Sequence, residues 1–111
     1  MSTLVVDIDG TLCQSYPGCD YSQCNPIQDV INAVNRAYDN GNHVILFTAR
    51  GMRTYKGNRN LIEKNVVPVL KEWLSKYGVK YHELEICKPW GHDVWYIDDK
   101  CLTPKQFTEL Y

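Results

Sequence analysis

The 111-residue chain lacks any apolar run near the roughly 18 residues a membrane-spanning helix requires. It also lacks an excess of either charge, with 12 Lys and Arg against 13 Asp and Glu and a formal net charge of −1. Nothing therefore suggests general attraction to nucleic acid or to an anionic membrane, and an anionic substrate would have to be met by local groups. No internal repeat, linker or low-complexity segment interrupts the chain, so one domain over residues 1–111 is expected. Met1-Ser2-Thr3 runs straight into apolar sequence with no basic leader, and a cytoplasmic location is the expectation. Hydrophobic residues make up 44% and charged residues 23%, which suits a packed core rather than disorder.

Cysteine is better represented, at Cys13, Cys19, Cys24, Cys87 and Cys101. The count is odd and no export signal is seen, so free thiols are expected. Cys13, Cys19 and Cys24 crowd one segment, but intervals of five and four residues without a paired partner match zinc spacing poorly. Cys13, Cys19 and Cys24 have no basic sequence neighbour that would make one of them a nucleophile.

The chain is organised around Leu4-Val5-Val6-Asp7-Ile8-Asp9-Gly10-Thr11-Leu12. Leu4, Val5, Val6 and Ile8 read as a short buried strand. Asp7 and Asp9 share a face by the two-residue strand repeat, and Gly10 then breaks the strand with a sharp turn. Two carboxylates are thereby expected at the carboxyl end of a central strand, where ligands bind in open α/β sheets.

Residues 13–24 lack a helical or strand period and read as a loop or small hairpin over that end. Asn25-Pro26 is expected to cap a helix that carries Ile27, Val30, Ile31, Val34 and Tyr38 and stops at Gly41. Val44–Phe47 is a second apolar strand, placed beside the first by a right-handed crossover, and it ends in Thr48-Ala49-Arg50-Gly51. A polar basic loop over 51–60 follows, with Arg53, Lys56 and Arg59. Together with Gly10 and Ala49, Arg50, Arg53 and Lys56 are the candidate substrate-binding residues. A helical stripe from Leu61 to Tyr77 is interrupted by Pro68, which implies a kink or a new helix. Tyr81–Ile86 reads as a third strand leading to Lys88, and Val94–Ile97 as a fourth leading to Asp98-Asp99-Lys100. Thr103-Pro104 looks like the cap of a last helix over 104–110. His43 and His82 read as structural, whereas His92 and Trp90 lie close enough to Lys88 to be weighed as substrate contacts.

Each strand thus ends in a polar group: Asp7 and Asp9, Thr48, Lys88, Asp98 and Asp99. In a parallel sheet those ends lie along one edge. At ~4 Å and an effective dielectric of ~20, one like-charge pair costs about 4 kcal/mol, so such a cluster calls for a cation. An all-oxygen donor set favours a hard one, most simply Mg2+.

The order D-x-D-G-T, then Thr, then Lys, then an acidic pair resembles the haloacid dehalogenase-like (HAD) phosphatase superfamily, and it spans nearly the whole chain. The resemblance implies a three-layer Rossmann-like α/β fold: a short parallel sheet of strand order 3-2-1-4, with helices on both faces. It implies Asp7 as nucleophile, Asp9 as general acid and then base, Thr48 as a phosphoryl contact, and Lys88 as a screen for Asp7 and the phosphate. It further implies Mg2+ on Asp7, Asp98 and the Asp9 backbone carbonyl, with Asp99 acting through a water. Thr48–Met52, Lys56–Asn58, Lys88–Trp90 and Asp98–Lys100 are similar to T-A-R-G-M, K-G-N, K-P-W and D-D-R of small capless bacterial phosphatases of capsule and polysaccharide biosynthesis. Lys100 departs from the usual Arg there. Residues 13–24 and 51–60 leave no room for a cap domain, and capless members take bulky substrates or close the site by oligomerisation.

The substrate class implied is a small phosphorylated molecule, a sugar phosphate or a nucleotide. The acidic pair ending in a basic residue is also similar to polynucleotide 3′-phosphatase domains, so nucleic acid is a second, less favoured substrate. A receiver-type domain would place its acceptor Asp in the middle of the chain, after the acidic pair, and the order here is the reverse. A non-catalytic phosphate-binding protein, or transfer to an acceptor other than water, are the remaining alternatives.

Overall fold

The computed structural model describes residues 2–14, 20–89, 93–96 and 100–111. Its strands are β1 (Thr3–Asp7), β2 (His43–Phe47) and β3 (Glu83–Glu85). Its helices are α1 (Gln28–Asp39), α2 (Arg59–Asn65), α3 (Val67–Lys76) and α4 (Pro104–Leu110), with a single 3-10 turn at Tyr21–Gln23.

The three strands form a parallel sheet in the order β1-β2-β3, with Thr3 opposite His43, Asp7 opposite Phe47, and Phe47 opposite Glu85. This agrees with the 3-2-1 part of the expected order. The expected fourth strand is not found among the described residues. Val94, Trp95 and Tyr96 belong to no strand and are exposed, Trp95 by 82%. Tyr96 is instead engaged locally, its hydroxyl donating to the Pro89 carbonyl at 2.6 Å. Ile97 lies outside the described residues. Nor is β1 buried along its whole apolar run. Leu4 and Val6 turn toward the core while Val5 is 64% exposed, as strand alternation dictates when one face is covered.

α1 begins later than the Asn25-Pro26 signal suggests, at Gln28, with Ile27 at its N-cap. Asn25 and Pro26 are held by Cys13 and its neighbours: Cys13 bridges Pro26, and the Gln14 amide donates to Asn25 O at 2.9 Å. Pairing with that segment outcompetes the local cap. α1 buries Val30, Ile31, Ala33, Val34 and Ala37 and packs against β2 and α4. Pro68 falls in the first turn of α3, where its missing N–H costs nothing; the stripe is two helices meeting at Val66. α2 begins at Arg59, capped by the Asn58 side chain, so the basic loop is shorter than 51–60. α4 has the capping box that Thr103 promises, closed by Gln106.

One apolar core joins these elements, built on Ile8, Leu12, Ile31, Val34, Leu46, Ile62, Leu70 and Leu74. His43, His82 and Tyr38 stack beside the sheet, with centroids 4.5 and 4.6 Å apart, in the structural role expected of both histidines. No described helix is long and apolar enough to cross a membrane. Cys13, Cys87 and Cys101 are free thiols, but Cys24 is disulfide-bonded, contrary to expectation. Crowding three cysteines into one short segment raises their local concentration, and an odd total does not prevent one pair.

Candidate active site

The parallel register brings three strand ends together. Asp7 closes β1 opposite Phe47, and Thr48 comes next on the neighbouring strand. The Thr48 amide donates to Glu85 O at 3.0 Å, tying it to the last residue of β3. The chain then turns through Cys87, which has a φ of 64°. That left-handed conformation costs a non-glycine residue roughly 1–2 kcal/mol. Beyond it the Lys88 amide donates back to Thr48 O at 3.2 Å. The Lys88 ammonium reaches Asp7 Oδ1 at 3.1 Å and lies 4.3 Å from the Tyr96 ring centroid.

Asp7 also accepts a hydrogen bond on Oδ2 from the Thr11 hydroxyl at 3.3 Å. Burial pushes its carboxyl above the ordinary carboxylate value, against the pull of Lys88 and with a further push from the Asp9 charge. A half-desolvated carboxylate of this kind is poised to gain from a second cation.

Asp9 lies in the turn that ends the strand. Gly10, with a φ of 83°, allows the amides of Thr11 and Leu12 to fold back onto Ile8 O at 3.1 and 2.9 Å. The Asp9 carboxylate accepts hydrogen bonds on both oxygens. Arg50 donates to Oδ1 from Nη2 at 2.7 Å and from Nε at 3.3 Å. The Tyr21 and Thr48 hydroxyls each lie 2.8 Å from Oδ2 and donate to it. Thr48 is fully buried; its Oγ1 accepts from the Arg50 amide at 3.0 Å and lies 2.8 Å from the Tyr21 hydroxyl. The Arg50 guanidinium carbon sits 4.1 Å from the Tyr21 ring centroid. Burial acts against the Arg50 charge, but the bond and charge pairing with Asp9 outweigh it and hold the guanidinium pKa up.

The structure therefore gathers Asp7, Asp9, Thr48, Arg50 and Lys88, with Gly10 and Ala49 in the adjoining turns. Arg53 and Lys56 are exposed on the turn over 51–57. Asp98, Asp99, Trp90 and His92 lie outside the described residues. Tyr21 is the residue that sequence reasoning missed. It sits in an aperiodic segment, and the one local hint is Asp20 before it, whose side chain caps the 3-10 turn by accepting from the Ser22 amide. A groove of about 450 Å3 between α2, α3 and β3, lined by Arg59, Glu63, Lys71 and Leu84 among others, includes none of the site residues.

Among the described residues no group of three or more His, Cys, Asp or Glu could hold a metal ion. Of the expected donors, Asp7 lies among the described residues, and a carboxylate oxygen is a donor suited to a hard cation. Asp98 and Asp99, the other expected carboxylate donors, lie outside the described residues.

No protein-family model and no curated protein matches the sequence. Solved structures do. A crystal structure of a target protein from Vibrio cholerae is similar at a TM-score of 0.91 and 42% identity, covering 97% of this chain and 88% of that one. The D,D-heptose 1,7-bisphosphate phosphatase of B. bronchiseptica, complexed with magnesium and phosphate, is similar at a TM-score of 0.57 and 17% identity, over 91% of this chain and 54% of that one. A chain of the Pnkp1/Rnl/Hen1 complex is similar at a TM-score of 0.58 and 22% identity, over 98% of this chain and 33% of that one. The last two likenesses show the fold alone, shared with that phosphatase and with that chain of the complex. At 42% identity over nearly the whole of both chains, this chain belongs to the family of the Vibrio cholerae protein.

Proposed function

We propose that the chain is a Mg2+-dependent phosphomonoester hydrolase working through an aspartyl-phosphate on Asp7. The observation that carries this reading is the meeting of Asp7, Asp9, Thr48 and Lys88 at adjacent ends of parallel strands, with Lys88 3.1 Å from Asp7. An Asp7 oxygen attacks phosphorus and the bond to the leaving oxygen breaks, while Asp9 delivers a proton to that oxygen. In the second step Asp9 takes a proton from water, which attacks phosphorus and displaces the Asp7 carboxylate as inorganic phosphate forms. Lys88 offsets the repulsion between Asp7 and the phosphoryl oxygens, and Thr48 supplies a hydroxyl donor beside them. Asp7, Asp98 and the Asp9 backbone carbonyl would hold Mg2+, with Asp99 acting through a water; the ion supplies further charge neutralisation on the transferring group.

The substrate favoured is a small sugar phosphate, as in polysaccharide biosynthesis by a capless cytoplasmic enzyme. The fold shared with a heptose bisphosphate phosphatase supports it. A nucleotide or polynucleotide 3′-phosphate is the second reading, supported by the fold shared with a chain of the Pnkp1/Rnl/Hen1 complex. The test is phosphate release from sugar phosphates, nucleotides and a 3′-phosphorylated oligonucleotide, with Mg2+ and with chelator, for wild type and Asp7→Asn. Mg2+-dependent release by wild type alone is expected. Wild-type-like release by Asp7→Asn would overturn the mechanism, and no release from any compound would favour a binding protein.

A further inference from the structure

Tyr21 enters the site from a segment outside all four expected motifs, and it touches every feature that orients Asp9. Its hydroxyl is 2.8 Å from Asp9 Oδ2 and 2.8 Å from Thr48 Oγ1. Its ring underlies the guanidinium that holds Asp9 Oδ1. The residue is 2% exposed. The turn that carries it is fixed from both sides. Asp20 caps it, Cys24 just after it is disulfide-bonded, and the Trp73 indole N–H donates to Cys24 O at 2.9 Å. An aspartate in a strand-end turn has two free side-chain torsions; two oriented contacts remove that freedom before substrate arrives, which is what a proton-transferring group requires.

We propose that Tyr21 is a positioning residue for Asp9, fixing the carboxyl directly at Oδ2 and indirectly, through the Arg50 stack, at Oδ1. The hydroxyl donates to Asp9 Oδ2 and the ring stays stacked under Arg50, so both contacts come from one side chain. The role rests on the hydrolase reading above, because a positioned Asp9 matters only if it transfers a proton to a leaving group. It carries a signature that packing alone lacks: the loss on removing the hydroxyl should grow with the leaving oxygen's need for a proton.

The experiment compares p-nitrophenyl phosphate, whose leaving oxygen needs little protonation, with phenyl phosphate, whose leaving oxygen needs more. Tyr21→Phe keeps the ring over Arg50. It is expected to lower kcat on phenyl phosphate about 10- to 100-fold, the range for a hydrogen bond to a charged group, with KM within about twofold and p-nitrophenyl phosphate far less affected. In an Asp9→Asn background the same change should cost nothing further. Trp73→Phe, which loosens the turn from outside the site, should show the same selective loss in smaller measure, and it serves should Tyr21→Phe fold poorly. Equal loss on both substrates, no loss, or additivity with Asp9→Asn would overturn the role while leaving the hydrolase intact. A wild type inactive on both substrates would overturn the hydrolase reading itself, and the role with it.

Discussion

Replacing Gly51 with alanine tests how tightly the turn behind Arg50 is packed. Gly51 has a φ of +87°, and an added Cβ would lie 3.0 Å from Val66 Cγ2, 3.1 Å from Ile62 Cγ1 and 3.2 Å from Tyr55 Cδ2. Two costs follow. The left-handed backbone costs an L-residue roughly 1–2 kcal/mol. Crowding three side chains, one of them fully buried Ile62, adds about 1–3 kcal/mol because a packed core gives little. The reduced freedom of the unfolded chain returns about 0.4–1 kcal/mol. The net loss is about 2–4 kcal/mol, out of the roughly 5–15 kcal/mol typical of a domain. At about 4 °C per kcal/mol for a chain of this size, the melting temperature should fall by about 8–16 °C. Gly10→Ala is the matched control, since its φ is +83° but nothing lies within 4 Å of the added Cβ. It carries the strain without the crowding, for a fall of about 2–6 °C by the same conversion. Thermal denaturation followed by far-UV circular dichroism, under one buffer condition, measures both. A Gly51→Ala variant that melts no lower than Gly10→Ala would refute the packing argument.

Two further outcomes can be checked on the same preparations. Asp7→Asn should melt higher than wild type at neutral pH in chelator, although it is expected to abolish turnover. Burial raises the Asp7 carboxyl, so wild type loses stability as pH rises from the ordinary carboxylate value through the raised one, and asparagine avoids that loss. The gap should narrow as pH falls toward the carboxylate range, and added Mg2+ should raise the melting temperature of wild type only; a gap that widens on acidification would contradict the assignment. With iodoacetamide and mass spectrometry, exposed Cys101 should label first. Cys24 should label only after reduction, and Cys13, buried and with its thiol pushed up to about 12, only on unfolding. Equal rates at Cys13 and Cys101 would contradict that order.

The parts of the fold that the residues announced are those with a strong local period or a complete cap. Val44–Phe47 forms its strand because four apolar residues in a row have nowhere else to go, and α4 forms behind Thr103 because both halves of its capping box are local. The structure departs from the local signals where contacts outside the residue period decide. Asn25-Pro26 has good capping chemistry, yet the pairing of Cys13 and Gln14 with that segment claims it first. Val94–Tyr96 has strand composition, but Tyr96 turns to Pro89 and Lys88. In the site, Asp7, Asp9 and Thr48 are legible because they lie at the ends of apolar strands, and Lys88 because it follows the third expected strand. Arg50 is expected from the sequence as a substrate-binding candidate, but its pairing with Asp9 depends on tertiary geometry. Tyr21 could not be foreseen, since no periodicity marks a side chain delivered by an irregular turn.

The spacing of the site along the chain bears on how the protein is born. Asp7 and Lys88 are 81 positions apart, and Thr48 stands about midway. During synthesis the two N-terminal carboxylates leave the ribosome long before the ammonium that will neutralise one of them. Until residue 88 is made, β1 and β2 can pair and Arg50 can meet Asp9, but Asp7 has no Lys88 beside it. The electrostatic centre therefore matures last, as β3 docks, and closing that loop is an entropic step whose cost grows only slowly with length. A nascent chain stalled before residue 88 would carry a sheet whose Asp9 already has Arg50 but whose Asp7 still lacks its ammonium partner.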